Sequence, residues 1–180
     1  IFAALLTALV LLLPTLSSGQ QAVVLAPGAE GTGGAVEGEE ILLRISEVMS
    51  SNRSAYPDET GAYPDWVEVV NEGETALNLK GIGLSDREDR VLFLFPDMTL
   101  EPGERALVFC DDTNVAEAGS PLHARFKISS LGETVYLFDR NAIVVDSVEL
   151  PAMSSDMSYA DTGDGWIITE QFTPGYPNTP

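Results

Sequence analysis

From Ile41 onward the chain is cut into short apolar runs by turn residues, and no segment sustains a helical stripe over about three turns. Ile41-Leu42-Leu43-Arg44-Ile45 alternates, placing Ile41, Leu43 and Ile45 on one face. Trp66-Val67-Glu68-Val69-Val70 is β-branched and aromatic, as a pleated surface prefers. Val91-Leu92-Phe93-Leu94-Phe95 is continuously apolar, the pattern of a strand covered on both faces. Further strands are expected over 105–110, 126–128, 134–138 and 142–148, with a last short one at Trp166-Ile167-Ile168. Glu101-Pro102-Gly103-Glu104 fits a β-turn in which Pro sets φ and Gly takes φ > 0. Asp139-Arg140-Asn141-Ala142 fits a tight hairpin, with Asn141 suited to a left-handed position. Seven to nine short strands at this spacing predict an all-β chain, an antiparallel sandwich or barrel. A parallel α/β sheet would need helical crossovers, which the pattern does not offer.

The first 40 residues differ in kind. Residues 1–19 run from Ile1-Phe2-Ala3-Ala4-Leu5-Leu6 to Leu11-Leu12-Leu13-Pro14 and then Ser17-Ser18-Gly19. An apolar core followed by small residues reads as a hydrophobic leader helix, either a signal peptide cut before Gln20 or an uncleaved N-terminal anchor. With no initiating Met and no basic stretch ahead of the apolar core, the expectation is that the chain begins inside its leader. Residues 20–40 are rich in Gly, Ala, Glu and Thr without periodicity and read as a flexible acidic spacer. The folded domain is expected over 41–178, secreted or held at the cell surface.

Charge narrows the partners. With 28 acidic against 9 basic residues, the formal net charge is −19. Such a surface repels phosphate backbones and anionic headgroups, which argues against nucleic acid and against membrane contact beyond the leader. The single cysteine, Cys110, allows no intramolecular disulfide, and its apolar neighbours predict a buried thiol.

Several polar residues recur at expected strand ends: Glu47, Asn52, Asp65, Glu68, Asn71, Asp86 and Asp146. They stand within Ile45-Ser46-Glu47-Val48-Met49, Asp65-Trp66-Val67-Glu68-Val69-Val70-Asn71 and Leu79-Lys80-Gly81-Ile82-Gly83-Leu84-Ser85-Asp86. Downstream come Phe95-Pro96, Pro102-Gly103-Glu104, Leu122-His123-Ala124-Arg125-Phe126-Lys127-Ile128-Ser129, Val144-Val145-Asp146-Ser147-Val148, Ser158-Tyr159 and Thr173-Pro174-Gly175-Tyr176-Pro177-Asn178. In order and spacing these resemble the bacterial form of the lamin tail domain, over residues 41–178. Ile82 departs from it where the family often has Trp, as does Ala160-Asp161 where Gly-Arg is usual. The resemblance implies an immunoglobulin-like β-sandwich, exported and non-catalytic, that binds an extracellular protein or glycan or spaces an attached domain. In bacteria such modules stand beside nucleases, phosphoesterases or spore-coat-protein-H-like kinases, so a downstream domain of the same protein is the alternative partner.

Candidate binding residues are Tyr56, Asp58, Glu59, Tyr63, Asp65, Glu68, Asn71 and Asp86. The loop Tyr56-Pro57-Asp58-Glu59-Thr60-Gly61-Ala62-Tyr63-Pro64 offers two exposed-looking aromatics and acidic groups, which suits an interaction loop at a sandwich end. A Ca2+ site from Asp58, Glu59 and Asp65 ranks below it, because the spacing is not that of an EF-hand. For Asp65, Glu68, Asn71 and Asp86 the plainer role is turn and strand-end hydrogen bonding. The one histidine, His123, sits between apolar residues, and no serine has a nucleophile-elbow glycine pattern, so no catalytic residue is assigned and no cofactor expected.

Overall fold

The computed structural model describes residues 41–180; the leader and the spacer lie outside the described residues. Twelve strands and no helix occur among the described residues. The order is β1 (Leu43–Met49), β2 (Asp65–Asn71), β3 (Leu77–Asn78), β4 (Gly83–Ser85), β5 (Phe93–Leu94), β6 (Thr99–Leu100), β7 (Arg105–Cys110), β8 (Leu122–Ala124), β9 (Thr134–Phe138), β10 (Val144–Glu149), β11 (Ser158–Asp161) and β12 (Trp166–Thr169). The count exceeds the expected seven to nine because five of the twelve are pieces of two or three residues.

A six-stranded sheet runs β12-β11-β1-β2-β7-β8, a four-stranded sheet runs β10-β9-β4-β5, and β3 pairs with β6. One buried cluster joins the first two sheets. Ile45, Val48, Val67, Val69 and Val108 of the larger sheet meet Leu84, Phe93, Val135 and Leu137 of the smaller one. Alternation along β2 and β9 produces this directly, because every second side chain faces inward. Gly83 allows the close approach of β4 and β5: a Cβ there would lie 2.3 Å from Val91 Cγ1 and 2.8 Å from the Phe93 carbonyl oxygen.

Four expectations need correction. β7 and β8 pair in parallel, whereas all pairs were expected antiparallel. The chain between them reverses twice, through left-handed Asp112 and Gly119 and an antiparallel bridge of Val115 to His123. The 91–95 run is covered on one side only: Phe93 and Phe95 are buried while Leu94 is 53% exposed, because alternation turns Leu94 to the outer face of the smaller sheet. Residues 126–128 form no strand, although Phe126 and Ile128 still enter the core. In the hairpin after β9 the left-handed residue is Ala142, not Asn141. Asp139 Oδ1 accepts the amides of Asn141 and Ile143, both at 2.8 Å, which carries the reversal one residue further. The Glu101–Glu104 turn forms as expected, with Gly103 at φ 77° and the Glu104 amide on the Glu101 carbonyl at 2.9 Å.

A β-bulge shapes the larger sheet. Ile45 opposes Val69 and Glu47 opposes Glu68, so Ser46 is an extra residue in β1. The Ile45 amide donates to Asp146 Oδ2 of β10 at 2.8 Å. The extra residue shifts the alternation: Ile45 and Val48 both point inward, and Glu47 turns to the outer face of the sheet.

Candidate functional site

Two polar constellations lie on the larger sheet, one at its loop end and one on its outer face. The loop end is built by the β1–β2 connection. Asn52 is its hub: Nδ2 donates to the carbonyls of Tyr56 at 2.6 Å and Pro64 at 2.8 Å, and Oδ1 accepts the amides of Ala55 and Tyr56 at 3.2 and 3.1 Å. Asp156, itself left-handed, clamps the same loop by accepting the Arg53 and Ser54 amides at 2.6 and 2.9 Å.

Within this frame Asp58 closes its own turn. Its Oδ1 accepts the Thr60 amide at 2.8 Å, the Thr60 hydroxyl at 2.7 Å and the Ala62 amide at 2.9 Å. Slight desolvation opposes its charge, but these donors and nearby His123 outweigh it and bring the carboxyl below its ordinary range. His123, in β8, has a side chain only 6% exposed. Its Nδ1 lies 2.8 Å from Asp111 Oδ2 and its Nε2 lies 3.2 Å from Glu59 Oε2. Desolvation pulls the imidazole pKa down, yet the two carboxylates win and raise it. Asp111 is lowered: desolvation works against it, while the Thr113 hydroxyl and amide and His123 favour its charge. Ligand atoms of Asp58, Asp111 and His123 all lie within 4.8 Å of one another.

The other candidates go elsewhere. Tyr56 is half-buried against Trp66 and Phe109, with ring centroids 6.3 Å from each, so it anchors the loop instead of displaying an aromatic face. Tyr63, 41% exposed, is the loop's open aromatic. Asp65 accepts the Asn52 amide at 3.2 Å and stands outside the Asp58 group, so the lower-ranked Ca2+ alternative of Asp58, Glu59 and Asp65 is not the set brought together. Burial raises the Asp65 carboxyl, against the Asn52 and Ile128 amides and Lys127. Asn71 is a structural hub, donating to the carbonyls of Thr75 and Leu100 at 2.9 and 3.0 Å and accepting the Gly73 amide at 3.0 Å. Asp86 lines an open groove of about 390 Å³ with Asp112, Arg87, Arg90, Arg125 and Lys127. Cys110 is buried, as expected, and burial pushes its thiol well up.

Glu68 is the largest surprise among them. It was expected at a strand end, but it sits in the middle of β2, opposite Glu47 of β1, and both side chains are fully buried. The C-terminal residues cover them. Glu68 Oε2 accepts the Gly175 amide at 2.6 Å and Oε1 accepts the Ser46 hydroxyl at 2.7 Å. Arg105 Nε lies 3.2 Å from Glu68 Oε1, an ion-pair distance, although its N–H is not aimed at that oxygen. Glu47 Oε1 accepts the Ser158 hydroxyl at 2.6 Å and Oε2 accepts the Thr173 amide at 3.1 Å. Asn178 Nδ2 then donates to the carbonyls of Ser46 and Asp161, both at 2.8 Å. Burial raises both glutamates; Ser158, Thr173 and Arg105 partly offset it at Glu47, and Gly175, Ser46 and Arg105 do so at Glu68.

The sequence model of the Lamin Tail Domain matches residues 39–151, well over half of the chain, and the observed all-β sheets agree with it. The chain belongs to the lamin tail domain family. Lamin tail domains are non-enzymatic, immunoglobulin-like β-sandwich modules. No curated protein matches the chain. In this lamin tail domain β11, β12 and the residues that cover Glu47 and Glu68 come after the matched stretch, yet β11 pairs directly with β1. Asp111 and Arg105 escaped the sequence reading. The Asp111-Asp112-Thr113 turn signal was there, but only the parallel β7–β8 pairing sets Asp111 beside His123.

Proposed function

We propose that this lamin tail domain works outside the cell as a non-catalytic binding or spacing module, with an extracellular protein or glycan as its partner. The observation that carries the reading is the β1–β2 loop. Asn52, Asp58 and Asp156 hold its backbone through side-chain hydrogen bonds, while Tyr63 and Glu59 remain open to solvent. A loop fixed before contact loses little conformational freedom on binding. His123 supports a non-catalytic reading, since both ring nitrogens already face carboxylates and neither is turned to a hydroxyl or thiol nucleophile. Export rests on the apolar leader and the small residues Ser17-Ser18-Gly19. The full chain, presented to a glycan array and to surface-protein extracts, is expected to retain a ligand that Tyr63→Ala releases. Retention identical in Tyr63→Ala would remove the loop as the contact surface, and a chain inert to both would leave spacing alone.

A second reading draws on the covered glutamates. Fastening of residues 173–178 gives any domain attached after Pro180 a fixed point of departure. That suits an accessory module of an exported spore-coat-protein-H-like kinase or hydrolase. Reading the genomic frame past Pro180 tests it: a fused domain supports the role, and a stop codon ends it.

A further inference from the structure

We propose that Asp58, Asp111 and His123 form a site for one divalent metal ion of the Zn2+ type at the loop end of the six-stranded sheet. The proposal does not rest on the binding role above. Three separate elements supply the ligands: the β1–β2 loop, the residue just after β7, and β8. Their donor atoms lie within 4.8 Å of one another.

Both carboxylates are locked before any ion arrives. Asp58 Oδ1 is held by Thr60 and Ala62, and Asp111 Oδ1 takes the Thr113 amide at 3.0 Å and its hydroxyl at 2.6 Å. Each thereby keeps one oxygen for a further partner, and that of Asp111 faces His123. The imidazole makes the second argument. A neutral ring has a single N–H, yet both nitrogens of His123 sit within 3.2 Å of carboxylate oxygens. One of those contacts sets lone pair against lone pair unless a proton or a metal cation intervenes. With the ion on the Nδ1 side, where Asp111 Oδ2 stands, Nε2 keeps Glu59 as its carboxylate partner, the arrangement that fixes the tautomer and orientation of a metal-bound histidine.

The donor set selects the class of ion. One imidazole with two carboxylates suits Zn2+, whereas Ca2+ takes six to eight oxygens. Cys110 stays out, because its thiol is buried and turned to the Val108 carbonyl. Ligands of a tetrahedral Zn2+ stand about 3.3 Å apart. The observed spread of up to 4.8 Å therefore narrows on binding through small shifts of the ligand side chains. The ion would tie the β1–β2 loop to β7 and β8.

The test uses the full chain, stripped with chelator and titrated with Zn2+ by calorimetry, with thermal unfolding in parallel. The expected result is one ion per chain at a Kd below about 10 µM, a higher Tm with Zn2+, and no displacement by millimolar Ca2+. Asp58→Asn, at a half-exposed position, and Asp111→Asn should each weaken binding by about tenfold or more. His123→Gln should do the same, and circular dichroism checks that its fold survives. A chain this acidic also attracts cations diffusely, so Asp164→Asn, in the exposed β11–β12 turn, serves as control. No saturable heat, equal affinity in Asp58→Asn, or an equal loss in Asp164→Asn would overturn the site.

Discussion

The inner face of the six-stranded sheet meets the four-stranded sheet through Ile45, Val48, Val67 and Val108, whereas its outer face buries Glu47 and Glu68 beneath residues 173–178. Both faces exclude water, but by different physics. Inside, fit is a matter of volume, and each fully buried large side chain contributes about 1.5–3 kcal/mol. Outside, a small apolar cluster of Met49, Trp66 and Phe109, capped by Tyr56 and Phe172, adjoins charges that must be answered atom by atom. A sandwich can thus bury carboxylates without an internal cavity, provided a late segment of the chain brings its amides to them.

Substitutions can break this contrast or sharpen it. The largest effect is expected inside, where Phe93→Ala should cost about 4 kcal/mol in denaturant unfolding, since its ring is buried and packs edge-on to Phe95 at 5.1 Å. Outside, Glu68→Ala should cost about 3 kcal/mol, because it leaves the Gly175 amide without its acceptor and Arg105 without its neighbouring carboxylate. A loss below about 1 kcal/mol would mean that water replaces the carboxylate and that the outer face is not closed.

Volume-conserving changes separate the faces further. Leu137→Met, inside, should cost about 1 kcal/mol. Glu68→Gln, nearly isosteric, should cost about 2 kcal/mol, since a neutral amide oxygen accepts the Gly175 N–H less strongly than the carboxylate does and the charge facing Arg105 is removed. The reverse order would erase the distinction.

The inner face was legible in the sequence because it obeys a period of two: the apolar positions of β2 and β9 recur as a pleat demands. The outer face was not. Glu47 and Glu68 look like solvent-facing alternates, and only the bulge at Ser46 with residues more than 100 positions downstream makes them interior. The Asp58–Asp111–His123 group was half legible. The loop pointed to Asp58 and Glu59, but no local pattern announces a parallel pairing that brings Asp111 and His123 together.

The smallest effect is expected in pH dependence. Burial raises both Glu47 and Glu68 above the ordinary 4.5, so the folded chain holds their protons more tightly than the unfolded one. Their stabilising share is fully present below about 4.5 and is lost as pH rises through the folded values. The double variant E47Q/E68Q should accordingly show a Tm less dependent on pH just above that range. A slope equal to that of the parent chain would place the titration in other carboxyls.

Hydrogen exchange at the amides of Thr173 and Gly175 tests most directly whether the outer face is sealed by donors aimed at the buried carboxylates. In the parent chain both should exchange slowly; Glu47→Gln should speed Thr173 and Glu68→Gln should speed Gly175, leaving Val67 and Val108 unchanged. Exchange of both amides in the parent chain at the rate of an unstructured peptide would contradict the account.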